Sequence, residues 1–395
     1  MIEFGKAYRL VQSYATLQQQ EPVQINDAVG RILAADVLAD ADMPPFDRSA
    51  MDGYACRKSD LGNNRRLKIV ENIPAGRKPV KTIREGICAR IMTGAEVPEG
   101  ADCVVKVEDT RLVSADLVEI LSNGDIRNIR QKAEDLKKGD TVIRRGTLLK
   151  SQHAGLLAMT GCIQPMVYAR PRVGILSTGS ELVEPHEVPG IAGIRNSNST
   201  QLMAQLKTMN IQAKDLGIIR DNKEEIKQVI KTAAEDLDVL LLSGGVSMGD
   251  YDFVPEVIRE LGFDIKIHKM KVRPGKPLLF AVGTDTNKSF VFGLPGNPVS
   301  TFVQFEVIIR PFLLKMMGAD IVEKGIWMMM GESLQVKPLP LRYFIPVRME
   351  DGGVYPLEYH GSGHLASYTQ ADGILEVPEN TGSIKKKELV YVRPV

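Results

Sequence analysis

Residues 240–252, Leu-Leu-Leu-Ser-Gly-Gly-Val-Ser-Met-Gly-Asp-Tyr-Asp, pass from an apolar run into paired glycines and then two carboxylates. Polar turns also follow three other short apolar runs, as Ser177-Thr-Gly-Ser-Glu-Leu, Arg220-Asp221 and Gly293-Leu-Pro-Gly-Asn-Pro-Val-Ser. Together the four turns offer Ser177, Thr178, Glu181, Asp221, Ser243, Gly244, Gly245, Asp250, Asp252 and Asn297. Glycine lets backbone come close to a phosphate, and clustered carboxylates suit a hard divalent cation bound partly through substrate oxygens. Lys269, Lys271, Arg273 and Lys276, in Lys-Met-Lys-Val-Arg-Pro-Gly-Lys-Pro, add the cations of an anion site. The chemistry these residue types suggest is that of a phosphate-and-magnesium edge.

Each piece has a plainer reading. Gly244-Gly245 alone is a tight strand-to-helix connection, and no Gly-Lys-Ser/Thr follows to make it a Walker loop. Asp250 alone is a favourable charge at a helix N-terminus. The basic stretch alone is a solvated strand and turn. Leu294-Pro-Gly-Asn-Pro alone stiffens a turn, although such a loop is also rigid enough to serve as a pocket wall. Only the set points to a site.

The elements that must position it are legible from periodicity. Residues 172–322 alternate strand and helix, which argues for a parallel α/β sheet with ligands at the carboxyl ends of its strands, near helix N-termini. Asn196-Ser-Asn-Ser supplies cap residues for a helix with Leu202, Met203, Leu206 and Met209 on one face. Further helices carry Ile226, Val229 and Ile230, then Val254, Val257, Ile258 and Leu261, and a long apolar helix spans about 299–317. Upstream, Ala7, Leu10, Val11 and Tyr14 share one helical face, and residues 46–138 hold short β-like runs such as Cys103-Val-Val-Lys-Val and Leu117-Val-Glu-Ile-Leu. Ala154-Gly-Leu-Leu-Ala-Met reads as helix, and Pro171 marks a boundary. The domains expected are 1–45 with 139–171 as a discontinuous N-terminal domain, 46–138 as an inserted β-rich domain, 172–322 as the α/β domain and 323–395 as a C-terminal β domain.

The chain has 395 residues, 44% hydrophobic and 25% charged, with a formal net charge of +1, so no overall field draws it to nucleic acid or a membrane surface. No apolar run is long enough to span a bilayer and the start has no signal-like h-region, so the expected location is cytoplasmic. Cys56, Cys88, Cys103 and Cys162 lack any Cys-x-x-Cys spacing and read as reduced, buried thiols. His360 and His364 are spaced i, i+4, but the glycines between them argue against a helix that would align both on a metal. No Ser/His/Asp order or reactive cysteine motif supports covalent catalysis.

The motifs in this order resemble the molybdopterin molybdenumtransferases of the MoeA type, related to the E domain of gephyrin. The resemblance rests on Pro44-Pro-Phe-Asp-Arg-Ser-Ala-Met-Asp-Gly-Tyr-Ala, Ile91-Met-Thr-Gly-Ala, Ser177-Thr-Gly-Ser-Glu-Leu, Asn196-Ser-Asn-Ser, the 243–252 stretch, Pro274-Gly-Lys-Pro and Leu294-Pro-Gly-Asn-Pro-Val-Ser. Motifs of the α/β domain also resemble MogA-type adenylyltransferases; the first two decide for the longer family. The resemblance implies a MogA-like parallel α/β domain, an inserted small β-rich domain and a C-terminal β-barrel-like domain, assembled as a homodimer. It implies an enzyme that inserts molybdate into adenylated molybdopterin with release of AMP and with Mg2+ as cofactor. A MogA-type adenylyltransferase is the candidate protein partner. Two alternatives stand beside it: molybdopterin adenylyltransferase, or a non-enzymatic dimeric scaffold.

By motif match, Glu181, Asp221 and Asp252 are carried over as metal or nucleotide-phosphate contacts, with Asp250 beside them. Gly244 and Gly245 approach the nucleotide, with Ser177, Thr178, Gly179, Ser243, Pro295, Asn297 and Pro298 as further substrate contacts. Lys269, Arg273, Lys276 and Ser300 bind phosphate or molybdate, and Arg342 and Ser362 line the oxyanion site. Asp52 and Thr93 belong to the β-rich domain, which in this family faces the partner subunit's α/β domain; Asp52-Gly53 alone reads as an ordinary turn. The chain departs from the family at Ser243, which keeps a threonine's hydroxyl, at Arg273, which replaces a point donor with a planar fork, and at Ala133, where glycine is frequent. If that glycine takes a positive φ, the geometry near Arg130 is altered.

Overall fold

The computed structural model describes every residue except 62–64, 122–126, 247–251, 285–288, 320–324, 359–360 and 362. The chain divides into two units, one of Met1–Ala34, Gly146–Lys150 and Met166–Val395, the other of Ala35–Arg145 and Ser151–Pro165. It opens with α1 (Phe4–Ser13), which belongs to the larger unit. Ala7 and Val11 of α1 are buried, and Leu10 and Tyr14 pack partly buried beside them, as their spacing predicts.

The smaller unit is built on a six-stranded sheet of β1 (Gly53–Cys56), β2 (Arg65–Ile73), β3 (Ile87–Ile91), β4 (Cys103–Lys106), β5 (Thr110–Ser114) and β6 (Leu117–Ile120), in the order β4-β1-β3-β2-β6-β5. Both faces of its centre are covered: Tyr54 and Cys56 enter one apolar cluster with Leu67 and Val105, while the alternate Ala55 enters another with Ile73, Ile91 and Val104. The short helix α2 (Ser151–Met159) completes the reading of 154–159 as helical. The four cysteines are free thiols; Cys56, Cys88 and Cys103 are buried, whereas Cys162 is half-buried. Burial pushes the Cys88 thiol up to about 12, and the hydrogen bond with Cys103 together with burial raises that of Cys56, so these thiols are unreactive core residues.

Ala133 has φ 58°, the left-handed conformation that its replacement of glycine raised as a question. The turn is held by Glu134, whose carboxylate accepts from Gln131 N–H at 2.9 Å and from Arg130 at 2.9 Å. A β-carbon there is strained by ~1–2 kcal/mol, partly offset by the greater freedom glycine brings to the unfolded chain. Ala133→Gly is therefore expected to stabilise the smaller unit by about 0.5–1 kcal/mol. Slower hydrogen exchange of the smaller unit's strand amides would bear this out; faster exchange would show that chain entropy dominates.

The larger unit's sheet has the order β8-β7-β9-β12-β11-β10, with β7 (Val173–Thr178), β8 (Lys214–Ile219), β9 (Val239–Ser243), β10 (Phe263–Lys269), β11 (Pro277–Gly283) and β12 (Phe290–Leu294). Four strands are mutually parallel, but β11 is antiparallel to both β12 and β10. The parallel sheet expected is present, and the single reversed strand has a physical reason. Parallel neighbours need a crossover of roughly a dozen residues, and the connections from β10 to β11 and from β11 to β12 are too short to provide one. The basic stretch 269–276 is the first of these connections. Since β11 starts beside the end of β12, it lies at the same rim as the C-terminal ends of the parallel strands.

Helices α3 (Ser197–Thr208), α4 (Lys223–Asp236) and α5 (Val254–Glu260) cover the sheet. Val239 and Leu241 of β9 bury on one face, Leu240 and Leu242 on the other, which is why this strand reads as an unbroken apolar run. The last helical stretch is α6 (Pro298–Gln304), a π-helical turn at Phe305–Ile309 and α7 (Arg310–Met316). The wider turn immediately precedes Pro311, which has no N–H to give the carbonyl one turn back. Strands β13 (Ile326–Met330), β14 (Arg342–Glu350), β15 (Gly353–Pro356), β16 (Gly373–Val377) and β17 (Leu389–Pro394) close on themselves as β14-β15-β13-β17-β16-β14, a five-stranded barrel. Among the described residues no helix is long and apolar enough to cross a membrane.

Candidate active site

The turns that leave β7, β8, β9 and β12 converge on one cleft of about 520 Å³. Thr178, Gly179, Glu181, Asp221, Ser243, Gly244, Gly245, Asp252, Pro295, Asn297 and Pro298 all line it. Ser177 lies one residue behind the wall, fully buried, its hydroxyl 2.7 Å from that of Ser199. Ser300 is buried in the first turn of α6. Asp250 and Ser362 lie outside the described residues, as does His360.

Local hydrogen bonds explain how these turns are held. Asn196 caps α3, its Oδ1 accepting from Ser199 N–H at 3.3 Å. Two residues on, Asn198 Nδ2 donates to Ser243 Oγ at 2.7 Å and to the Gly296 carbonyl at 2.8 Å, joining the end of β9 to the turn after β12. This gives the hydroxyl retained at Ser243 a task. The turn after β7 is tied to that after β8, since Ser180 N–H donates to Asp221 Oδ2 at 3.0 Å and Asp221 N–H to Ser180 Oγ at 3.2 Å. Thr301 Oγ1 donates to the Pro295 carbonyl at 2.7 Å and fixes the Pro-Gly-Asn-Pro turn. Asn198 also lines the cleft and was read from sequence only as part of a cap. The available signal was the motif itself, because Asn196-Ser-Asn-Ser carries one amide more than a single N-cap needs.

Glu181, Asp221 and Asp252 thus share a wall, yet among the described residues no three His, Cys, Asp or Glu side chains are gathered closely enough to hold a metal ion. An all-protein cage is not what this donor set makes. It fits an ion such as Mg2+ that keeps waters and takes one or two carboxylates together with substrate phosphate oxygens.

The basic residues stand beside the cleft and do not line it. Lys269 ends β10 opposite Pro277, and Pro277 is itself a lining residue that follows Lys276 directly; Arg273 and Lys276 are exposed. Arg342, expected to line the oxyanion site, lies in the barrel. Its guanidinium meets Glu376 at 2.5 Å and Glu379 at 3.0 Å and lies over the Phe4 ring at 5.2 Å, so its charge is already matched in the barrel.

Asp52 and Thr93 belong to the smaller unit and are bonded to each other. Asp52 Oδ1 accepts from Thr93 N–H and from Thr93 Oγ1, both at 2.7 Å, and these two bonds hold its carboxyl below the usual carboxylate range. Gly53 is more than a turn residue, because a β-carbon there would lie 2.0 Å from the Val105 carbonyl oxygen. A depressed folded-state pKa adds stability above the unfolded value and loses it as pH falls through the folded value. Thr93→Val, which removes the hydroxyl donor, is expected to move the Asp52 titration upward, read by carboxyl NMR. No shift would mean that the backbone N–H alone sets the carboxyl.

Comparison with known proteins shows the family. Residues 2–161 match the family described as the MoeA N-terminal region (domain I and II), residues 174–315 the probable molybdopterin binding domain, and residues 335–395 the MoeA C-terminal region (domain IV). A protein of Nostoc sp. named molybdopterin molybdenumtransferase is 34% identical over 393 residues, covering 97% of this chain and 85% of its own. One of the same name from Haemophilus influenzae is 32% identical, covering 95% of this chain and 94% of its own. A crystal structure of the molybdopterin biosynthesis MoeA protein from Pyrococcus horikoshii OT3 superposes with TM-score 0.86 at 29% identity, covering 100% of both chains.

Proposed function

We infer the reaction from one premise: the chain belongs to the MoeA-type molybdopterin molybdenumtransferase family and is a transferase of molybdenum cofactor biosynthesis. The step proposed for it is insertion of molybdate into adenylated molybdopterin with release of AMP, by a magnesium-dependent homodimer in the cytoplasm. The observation that supports it best is the convergence of three carboxylates, the Gly244-Gly245 turn and Asn297 on one cleft at the strand ends.

Cleaving the phosphoanhydride increases negative charge on the departing phosphate, so groups that meet that charge in place lower the barrier. Gly244 and Gly245 carry no side chain to hold the phosphate away, and the first turn of α3 brings its N-terminal partial positive charge to the cleft. Lys269 and Lys276, beside the rim of that cleft, would bind the oxyanion. Glu181, Asp221 and Asp252 would hold Mg2+, which when bound neutralises phosphate charge. The attacking oxygen comes from water or from molybdate, and oxygen-18 in one or the other, recovered in AMP, tells which.

The test is AMP release from adenylated molybdopterin by the purified protein with magnesium, with and without molybdate, alongside reconstitution of an apo-molybdoenzyme. Molybdate-dependent release with cofactor formation is the expected result. Adenylation of molybdopterin from ATP without such release would replace it with the adenylyltransferase reading.

A further inference from the structure

Two side-chain atoms on the cleft wall are left without partners. Asn198 is 7% exposed and Thr178 is 3% exposed; Asn198 Oδ1 and Thr178 Oγ1 are both buried and make no hydrogen bond. The orientation of the Asn198 amide is settled by its surroundings. One nitrogen serves both Ser243 Oγ and the Gly296 carbonyl, and a carbonyl can only accept, so the group facing it must be the NH2. The atom left over is therefore an acceptor. A buried acceptor without a donor is costly, and few native groups are left so.

We propose that Asn198 is a substrate-recognition residue, accepting through Oδ1 an N–H of an exocyclic amine on a fused heterocycle of the substrate, with Thr178 Oγ1 taking the amine's second N–H. A phosphate or molybdate oxygen does not suit Asn198 Oδ1, because it presents lone pairs to a lone pair. A hydroxyl offers one donor and brings lone pairs with it. An exocyclic amine conjugated to its ring offers two donors and no competing acceptor, matching two unpartnered atoms on one wall. The inference rests on the proposed reaction, whose substrate carries two such rings, an adenine and a pterin. The amine is the shared chemistry, and the two rings are separated by experiment.

Inhibition constants are measured against AMP release for two ligand pairs: AMP with purine riboside 5′-monophosphate, and pterin with 4-oxopteridine. Each second member lacks only the amine. In the wild type one pair is expected to differ by about tenfold, the size of one good hydrogen bond, and that pair names the ring. In Asn198→Ala the same ratio is expected to fall below about twofold. Thr301→Val removes the bond that fixes the Pro-Gly-Asn-Pro turn but leaves the acceptor and both anchors of Nδ2, so it keeps the ratio if recognition is the cause. Equal loss in both variants would assign the effect to loosening of the wall and overturn the proposal. Equal ratios in wild type and Asn198→Ala, or no inhibition by any of the four ligands, would overturn it as well. Should Asn198→Ala fail to fold, Thr178→Val carries the same ratio test. Wild-type AMP release in the same assay keeps the outcomes apart. Its absence removes the transferase reading, whereas its presence with unchanged ratios removes only the role of Asn198.

Discussion

Asp252→Lys is expected to lower turnover about 10³-fold while the chain stays folded. Asp252 is one of three carboxylates on the cleft wall, half-buried in the segment that leads from the Gly244-Gly245 turn into α5. Neutralising it as Asp252→Asn removes one charge from the site proposed to bind phosphate through a shared cation, and such removals cost roughly 10²-fold. Reversal adds repulsion of the cation and gives the phosphate an ion-pair partner in the ground state, which does nothing for the transition state. The expected signature is therefore a fall in kcat with substrate affinity held or increased. Single-turnover AMP release against substrate concentration reads both quantities, and near-UV circular dichroism reads the fold. Turnover within about threefold of wild type would remove Asp252 from the site and leave Glu181 and Asp221 as the carboxylates that matter.

What could be read from sequence follows from how local each feature is. The polar ends of β7, β8, β9 and β12 were legible because each lies within a few residues of an apolar run, and the parallel arrangement of those four strands sends them to one rim. Strand β10 and its antiparallel neighbour β11 were missed although Phe263, Ile265 and Ile267 alternate with polar residues, the pattern of an edge strand with one face exposed. Ala133 was legible because a positive φ is a property of a single position. Pairings across long separations were not. The ion pairs of Arg342 were not legible because Glu376 and Glu379 lie more than thirty positions away in sequence and meet it only when the barrel closes. The bonds between Asp52 and Thr93, 41 residues apart, belong to the same class. Asn198 was in view as a helix-capping motif, but its amide reaches Gly296, 98 residues on, and only that contact shows which of its atoms is unpartnered.

Gly244→Ala is expected to destabilise the α/β sheet by about 3–4 kcal/mol and to abolish the cleft with it. Gly244 has φ 94°, and a β-carbon there would stand 2.2 Å from the Thr178 carbonyl oxygen, where no real contact is tolerated. The strained backbone costs ~1–2 kcal/mol and the forced displacement ~1–3 kcal/mol more. Relief by side-chain rotation is unavailable, because the clash is with backbone one residue beyond the Ser177–Ser243 pairing of β7 and β9. The strand ends must separate, and Asn198 then loses the position of Ser243 on which its own orientation depends. Gly245→Ala is the comparison. At φ 64° its β-carbon would lie 2.7 Å from Thr178 Oγ1, a hydroxyl that can turn away, so about 1–2 kcal/mol is expected from the backbone alone. With two units in the chain, a single melting point would mix their responses, so the measurement is hydrogen exchange of the β9 amides, followed by mass spectrometry. Loss of protection in β9 that is much greater for the 244 variant than for the 245 variant is expected. Equal loss in the two would mean that the close approach of Gly244 to Thr178 is not what sets the strand ends.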